Sequence, residues 1–483
     1  SFCRKGSIET AGQQSIHCIN NEAIDGHMNY LWNPNSFTLF PEIKKLGPGE
    51  WLMFKADGSV NIEDWTQNSN FNRLHCSTLR AETMNTKSLV SNVTELTRNA
   101  VHAQMISDVP VGAFLSGGVD SSAIVTFARE KNSDLQCFTL RGQGDDPESL
   151  EDDYFYAKKV ASHLDVPLIT VDVTPSDFVE QLNKMIEILE EPTADPAALN
   201  VFYISEVARQ NGIKVLLSGT GGDDVFSGYR RHLAIYHSKK WSVLPPLFRQ
   251  RIECWSRRLP SFRGSNRRIR KLLNGFSMSE EDYLLNSFKW STDIDLFSLY
   301  SVELKDKLKN FKSDQTMSAF LSTYGNGTSQ LKKALALEKR FFLAEHNLIY
   351  TDKMSMAAGV EVRVPFLDQE LVSFANKVPD KFLVRGISPK WILKKAMEPY
   401  LPKNIIYRPK TGFGLPIRKW IKNELNDFVN DTLSEKVLRN RGLFDPSAVK
   451  SLIKANAEGS VDGSYTILSI ICIELWCQKF LEC

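Results

Sequence analysis

Two segments place glycine, hydroxyl and carboxylate residues at the end of an apolar run, a composition suited to holding a polyphosphate. The first is Leu115-Ser116-Gly117-Gly118-Val119-Asp120-Ser121-Ser122. Gly117 and Gly118 let the backbone turn sharply and approach a ligand closely. A helix beginning there presents unpaired N–H groups and a positive dipole end, and Ser116, Ser121 and Ser122 add hydroxyl donors. Asp120 does not bind an anion directly; its natural task is to hold a Mg²⁺ ion that bridges phosphates. No Gly-Lys-Ser/Thr follows the glycines, and the spacing is not G-x-G-x-x-G, so neither common nucleotide fingerprint applies.

The second segment is Leu216-Leu217-Ser218-Gly219-Thr220-Gly221-Gly222-Asp223-Asp224-Val225-Phe226-Ser227-Gly228-Tyr229. An apolar run again enters a glycine loop, now with two carboxylates, one expected to point inward and the other to cap a helix. If both runs are strands of one parallel sheet, both loops leave it at the C-terminal edge, where ligands bind, and Asp120 and Asp223 face a common Mg²⁺. Residues 352–368 set charges among small and apolar residues, which demands pairing or a ligand. Glu361, Arg363 and Asp368 suit an ion-pair network locking helices, and Lys353 is more open to a ligand. Lys410, in the turn-rich run Arg408-Pro409-Lys410-Thr411-Gly412, reads either as an exposed loop lysine or as a cation reaching a transferring phosphate.

The elements that must position these groups follow from periodicity. Residues 23–65 read as short extended pieces, with a turn at 46–50, a strand at 51–54 and a hairpin turn at 56–59. The polar, Asn-rich residues 66–80 suit a linker. A long helix is expected over 83–105, with Leu89, Val93, Leu96 and Val101 on one stripe. Strands at 111–115, 135–140, 167–173 and 214–217 then alternate with helices at 121–131, 154–164, 178–189 and 198–210. Short apolar strands separated by helices indicate a parallel sheet covered on both faces. From residue 229 onward the pattern reads as all-helical.

Composition is that of a globular chain: 483 residues, 42% hydrophobic and 24% charged, with 59 basic against 57 acidic residues. The small net charge argues against the whole chain being a nucleic-acid glove. No window is apolar enough for a membrane span, and residues 465–476 are too short and contain Glu474. Eight scattered cysteines form neither a CxxC pair nor a zinc-spaced cluster, which fits a reducing, cytoplasmic setting.

Taken together, SGGVDSS at 116–122, EPTADPAAL at 191–199, SGTGGDDVFSGY at 218–229, DKMSMAAGVEVRVPFLD at 352–368 and RPKTGFGLP at 408–416 resemble the glutamine-hydrolysing asparagine synthetase family. The likeness covers about residues 80–425. It implies an α/β parallel-sheet synthetase domain of the pyrophosphate-loop (PP-loop) type, related to the adenine nucleotide alpha hydrolases. A helical C-terminal half and a small N-terminal β remnant would complete the chain. The implied division is 1–65 as the tail end of a class II glutaminase domain, 66–80 as linker and 81–483 as synthetase. The implied reaction activates a carboxylate with ATP as an acyl-adenylate, which ammonia then attacks. Aspartate would become asparagine, with AMP and pyrophosphate released. Carried over by motif, Asp120 and Asp223 look like the Mg²⁺ ligands. Ser116, Gly117, Gly118, Ser121 and Ser122 look like the pyrophosphate seat, joined by Ser218 and Gly219 of the second loop. Leu115 and the strand through Leu140 look like the adenine wall, and Lys410 like the cation stabilising charge as pyrophosphate leaves.

Two departures from the family pattern stand out. No amino-terminal Cys-Gly is present, and Cys3 follows Ser-Phe, so it lacks the free α-amine such a nucleophile uses as base. A fragment of a longer protein is therefore expected, or else use of free ammonia or a separate glutaminase. The family loop usually reads Ser-Gly-Glu-Gly-x-Asp-Glu, whereas Thr220 stands at the Glu position. A threonine hydroxyl is no general base near neutral pH; Glu361 is the candidate substitute. The change leaves open another carboxylate acceptor, such as a sugar uronic acid, or an inactive remnant. Residues 230–271 carry many Arg and Lys, with Trp and Phe interleaved and Glu253 the only acid. They read as a surface or substrate-covering face rather than a nucleic-acid site. The expected partners are thus a small carboxylate and ammonia, with neither nucleic acid nor membrane, and with room for a homodimer.

Overall fold

The computed structural model describes residues 19–64, 85–142, 150–241, 243–259, 264–291, 294–325, 327–409 and 415–482. The chain opens with helix α1 (Asn21–Tyr30), where extended pieces were expected. The Asn20 side chain caps it by accepting from the N–H groups of Glu22 and Ala23. Ala23, Ile24 and Met28 then share one buried face, a short helical stripe that the surrounding polar residues mask. Strands β1 (Glu50–Phe54) and β2 (Val60–Asp64) pair as an antiparallel hairpin, turned where Asp57 and Gly58 predict.

The long helix α2 (Thr86–Gln104) buries Leu89, Val93 and Val101 of the expected stripe. After it the alternation unfolds as read: β3 (Val111–Phe114), α3 (Val119–Arg129), β4 (Cys137–Gly142), α4 (Leu150–Leu164), β5 (Leu168–Val173), α5 (Pro175–Leu189), α6 (Ala197–Gln210) and β6 (Val215–Leu217). The short helix α7 (Gly222–Phe226) follows, then α8 (Arg230–Trp241), α9 (Pro246–Arg257) and α10 (Gly264–Leu273). Further short helices lead to α11 (Gln330–Leu337), which runs into a π-helix (Glu338–Asn347) and α12 (Leu348–Ala357).

Among the described residues, one strand breaks the all-helical expectation for the chain beyond residue 229. Glu361–Arg363 forms β7, a fifth parallel strand beside β6. Three residues with charges at both ends carry no strand periodicity; the pairing to an existing edge makes the strand. Beyond it come α13 (Gln369–Lys377), α14 (Trp391–Met397) and the closing helix α15 (Ser464–Phe480).

The five strands lie in the order β5-β4-β3-β6-β7, all parallel. From β3 the chain moves outward through β4 to β5, then returns to the other side of β3 for β6. That reversal is a topological switch point, the place where an open parallel sheet leaves a crevice at its C-terminal edge. One large apolar cluster joins the β4–β5 side to α15 and includes Ile24, Met28 and Phe40 from the N-terminal segment. A second packs α2, α3 and α14 on the sheet. Among the described residues no helix is long and apolar enough to cross a membrane.

Candidate nucleotide site

The two glycine loops emerge abreast because Ala113 of β3 pairs with Leu217 of β6. After β3, the Leu115 N–H still bonds the Phe138 carbonyl; the chain then turns, and α3 begins at Val119 with Gly118 as its extended cap. Ser121 braces the turn: its hydroxyl lies 3.1 Å from that of Ser116 and accepts from the Ser116 N–H at 3.2 Å. Asp120 occupies the first turn of α3 and Ser122 is fully buried. Leu115 and Leu140 are both buried at the ends of neighbouring strands.

The second loop presses against the first. A Cβ on Gly222 would sit 2.8 Å from the Asp120 carboxylate carbon, so only glycine permits this approach. Ser218 donates its N–H to the Arg363 carbonyl of β7, and its hydroxyl lies 2.8 Å from that of Thr220. Asp223 opens α7, and the Gly228 N–H returns to the Asp223 carbonyl at 2.8 Å. Asp224, buried, accepts from Tyr229 Oη at 3.4 Å.

Asp120 and Asp223 converge, as their positions predict, but on a residue that sequence reasoning missed. Lys390 precedes α14 and is buried; its Nζ bonds Asp120 Oδ2 and lies 2.5 Å from Asp223 Oδ1. It holds a left-handed backbone conformation, φ 53°, which costs a non-glycine residue energy and directs this side chain inward. Burial opposes its charge, yet the two carboxylates outweigh burial and raise its pKa. Gly228 closes the cluster: a Cβ there would fall 1.7 Å from Asp223 Oδ1 and 2.0 Å from Lys390 Cε. Two carboxylates on separate loops, converging on one positive centre, form the hard oxygen donor set that suits Mg²⁺. Among the described residues no group of three or more His, Cys, Asp and Glu could hold a metal by itself, so substrate oxygens would have to complete the shell.

Other sequence candidates lie elsewhere. Glu361 starts β7 opposite Val215, at the N-terminal edge of the sheet. It is exposed and pairs with Arg363 at 2.8 Å; the structure does not bring it to Thr220, because a parallel strand must run its full length to reach the loop edge. Arg363 also ties down the end of α2, donating to the carbonyls of Gln104 and Ile106. Lys353 caps the end of α5 through the Leu189 carbonyl and pairs with Glu190 at 2.9 Å. Asp368 caps α13. Lys410 lies outside the described residues. Two positions before it, part-buried Arg408 donates to the Ser116 carbonyl at 3.2 Å and to Asp153 at 2.8 Å, so the chain at Arg408 is tethered to the first loop.

The sequence profile described as asparagine synthase matches residues 92–478. Among curated proteins, the glutamine-hydrolysing asparagine synthetase 1 of Bacillus subtilis (strain 168) is 28% identical, covering 95% of this chain and 68% of that protein. A putative glutamine-hydrolysing asparagine synthetase of Mycobacterium bovis is 29% identical over 82% of this chain and 59% of its own length. The amidase chyE of Penicillium rubens is 22% identical over 88% of this chain and 66% of its own. The chain therefore spans about three fifths to two thirds of the length of these three relatives.

Proposed function

We propose that this chain, which belongs to the asparagine synthase family, catalyses the ATP-dependent amidation of a carboxylate, with aspartate the first acceptor to test. The observation that carries the reading is the convergence of Asp120 and Asp223, from two loops at the sheet's switch point, on Lys390. Such a cluster is built to manage the charge of a polyphosphate. A carboxylate oxygen attacks the α-phosphorus of ATP, the bond to the β-phosphate oxygen breaks, and pyrophosphate leaves. Ammonia then attacks the acyl carbon, AMP departs, and the nitrogen sheds a proton. In this reading the backbone and hydroxyls of residues 116–122, with Ser218 and Gly219, seat the phosphates, and Leu115 and Leu140 wall the base. Lys390 and Lys410 offset the charge of the leaving pyrophosphate. Mg²⁺ held by Asp120 and Asp223 would neutralise phosphate oxygens when bound.

The acceptor is the open element. Thr220 meets Ser218 rather than a carboxylate, and Glu361 stands at the far edge of the sheet, so neither supplies the base usual in the family. The test is release of AMP and pyrophosphate from ATP and Mg²⁺ with ammonium as nitrogen donor. Release that depends on aspartate, with asparagine formed, supports the full reading. Release that ignores aspartate but responds to a uronic acid keeps the adenylation chemistry and moves the acceptor. ADP and phosphate as products, or no ATP binding, would defeat the proposal.

A further inference from the structure

The basic helices after the site carry a surface that the amidation reading leaves unused. The run Val243-Leu244-Pro245-Pro246-Leu247-Phe248 is wholly apolar, with Lys240 before it and Arg249 and Arg251 after it. Such a run would ordinarily be buried. Here Val243 is 84% exposed, Leu247 74% and Phe248 52%, and Trp255, two turns along α9, is 56% exposed. Leu247, Phe248, Arg251, Trp255 and Arg258 recur at helical spacing and are all exposed, so they form one ridge along α9. The inward side is otherwise occupied. Glu253 is buried, accepting from the Ser277 hydroxyl and N–H and from the Gly275 N–H, and Ser256 is buried beside it. The one acid of residues 230–271 is thus turned away from the ridge, which presents only apolar and positive groups.

We propose that the 243–258 ridge docks this protein on an anionic lipid surface. Two features select that partner. The charge is complementary to acidic headgroups, and arginine stems can lie along the interface while their guanidinium groups meet phosphate. The apolar groups sit on a convex helix and its leading loop, with aliphatic Val243 and Leu247 the most exposed. A folded protein partner would need a matching groove and a single-stranded nucleic acid would use aromatic faces, but a fluid bilayer accepts protruding aliphatic and aromatic side chains without shape complementarity. The surface is peripheral: α9 has 12 residues, far short of a span. This departs from the sequence expectation of no membrane partner, which considered spanning segments only.

The test is co-sedimentation of the full chain with phosphatidylglycerol–phosphatidylcholine vesicles, against vesicles of phosphatidylcholine alone. It reads binding and is independent of the amidation assay. The proposal expects binding to the anionic vesicles that weakens as salt rises. Arg251→Ala and Arg258→Ala should each lower it about fivefold, and Leu247→Ser about tenfold. All three side chains are exposed, so melting temperatures should stay at the parent value. Equal binding to both vesicle types, undiminished binding by Leu247→Ser, or retention only by an oligonucleotide or an acidic polypeptide would each overturn it.

Discussion

Lys390 meets Asp120 across 270 residues of chain, and its consequences can be worked out from charge alone. Asp120 and Asp223 are part-buried around the buried Lys390 ammonium; removing that cation takes an attractive partner from two carboxylates at once, at a cost of up to about 3–5 kcal/mol, the range for a fully buried pair that loses one partner. Lys390→Met should therefore melt well below the parent protein in a chelator. If Asp120 and Asp223 also form the Mg²⁺ site, added Mg²⁺ should restore more stability to the variant than it gives the parent. Equal Mg²⁺ responses in a thermal melt would show that the carboxylates do not share a metal. The acidic members of this cluster were legible in the sequence because each stands in a glycine turn after an apolar run, with serine or threonine hydroxyls in register beside it. The lysine was not legible: Ser-Pro-Lys-Trp reads as an ordinary helix start, and its role comes from a left-handed backbone angle and a distant partner.

At the level of elements, the βα order through residue 217 was readable because short, mainly apolar strands alternate with longer segments of helical composition. Helix α1 and strand β7 were not, since one intersperses its buried apolar residues with Asp25, His27 and Asn29 and the other exists through edge pairing. A further property of the elements is the part-buried lysine pair at the end of α13. Lys332 Nζ donates to the Asn376 carbonyl at 2.9 Å, and Lys339 Nζ to the Asn376 side chain at 2.5 Å. Burial pushes Lys332 down to about 8; burial, with the like charge of Lys332, pushes Lys339 down to about 7. Below pH 7 the fold must keep both protonated in a poorly solvating site. Between about 7 and the ordinary 10.5, the unfolded chain binds more protons than the folded one, so stability rises with pH. The slope approaches about 1.4 kcal/mol per pH unit for each fully shifted group. Lys339→Met removes one titration, so its melting temperature should change less than the parent's between pH 7 and pH 9. A parent curve flat or falling over that range would contradict this account.

On the scale of the whole molecule, the resemblance to synthetases placed a boundary between residues 65 and 81, which carries the expectation that 81–483 folds alone. The packing argues for a different outcome. Ile24, Met28 and Leu39 are fully buried in the cluster that also holds α15, and Phe40 lies 4.9 Å from Trp476 in ring-centre separation. His27 bonds Glu191 at 2.7 Å, Tyr300 donates to Asp25 at 2.8 Å, and Trp32 stacks on His346. These contacts engage the 191–199 segment, the π-helix and the C-terminal helix together. No periodicity in the sequence reveals them, because they join regions separated by up to several hundred residues. Each large apolar side chain fully buried is worth about 1.5–3 kcal/mol. Exposing the partners of Ile24, Met28, Leu39 and Phe40 alone would cost on the order of 10 kcal/mol, comparable to the 5–15 kcal/mol that holds a typical fold. A chain starting at residue 81 should accordingly be insoluble or lack a cooperative melt. If the shorter chain instead melts cooperatively within a few degrees of the parent, the N-terminal segment is a passenger on a self-sufficient synthetase core.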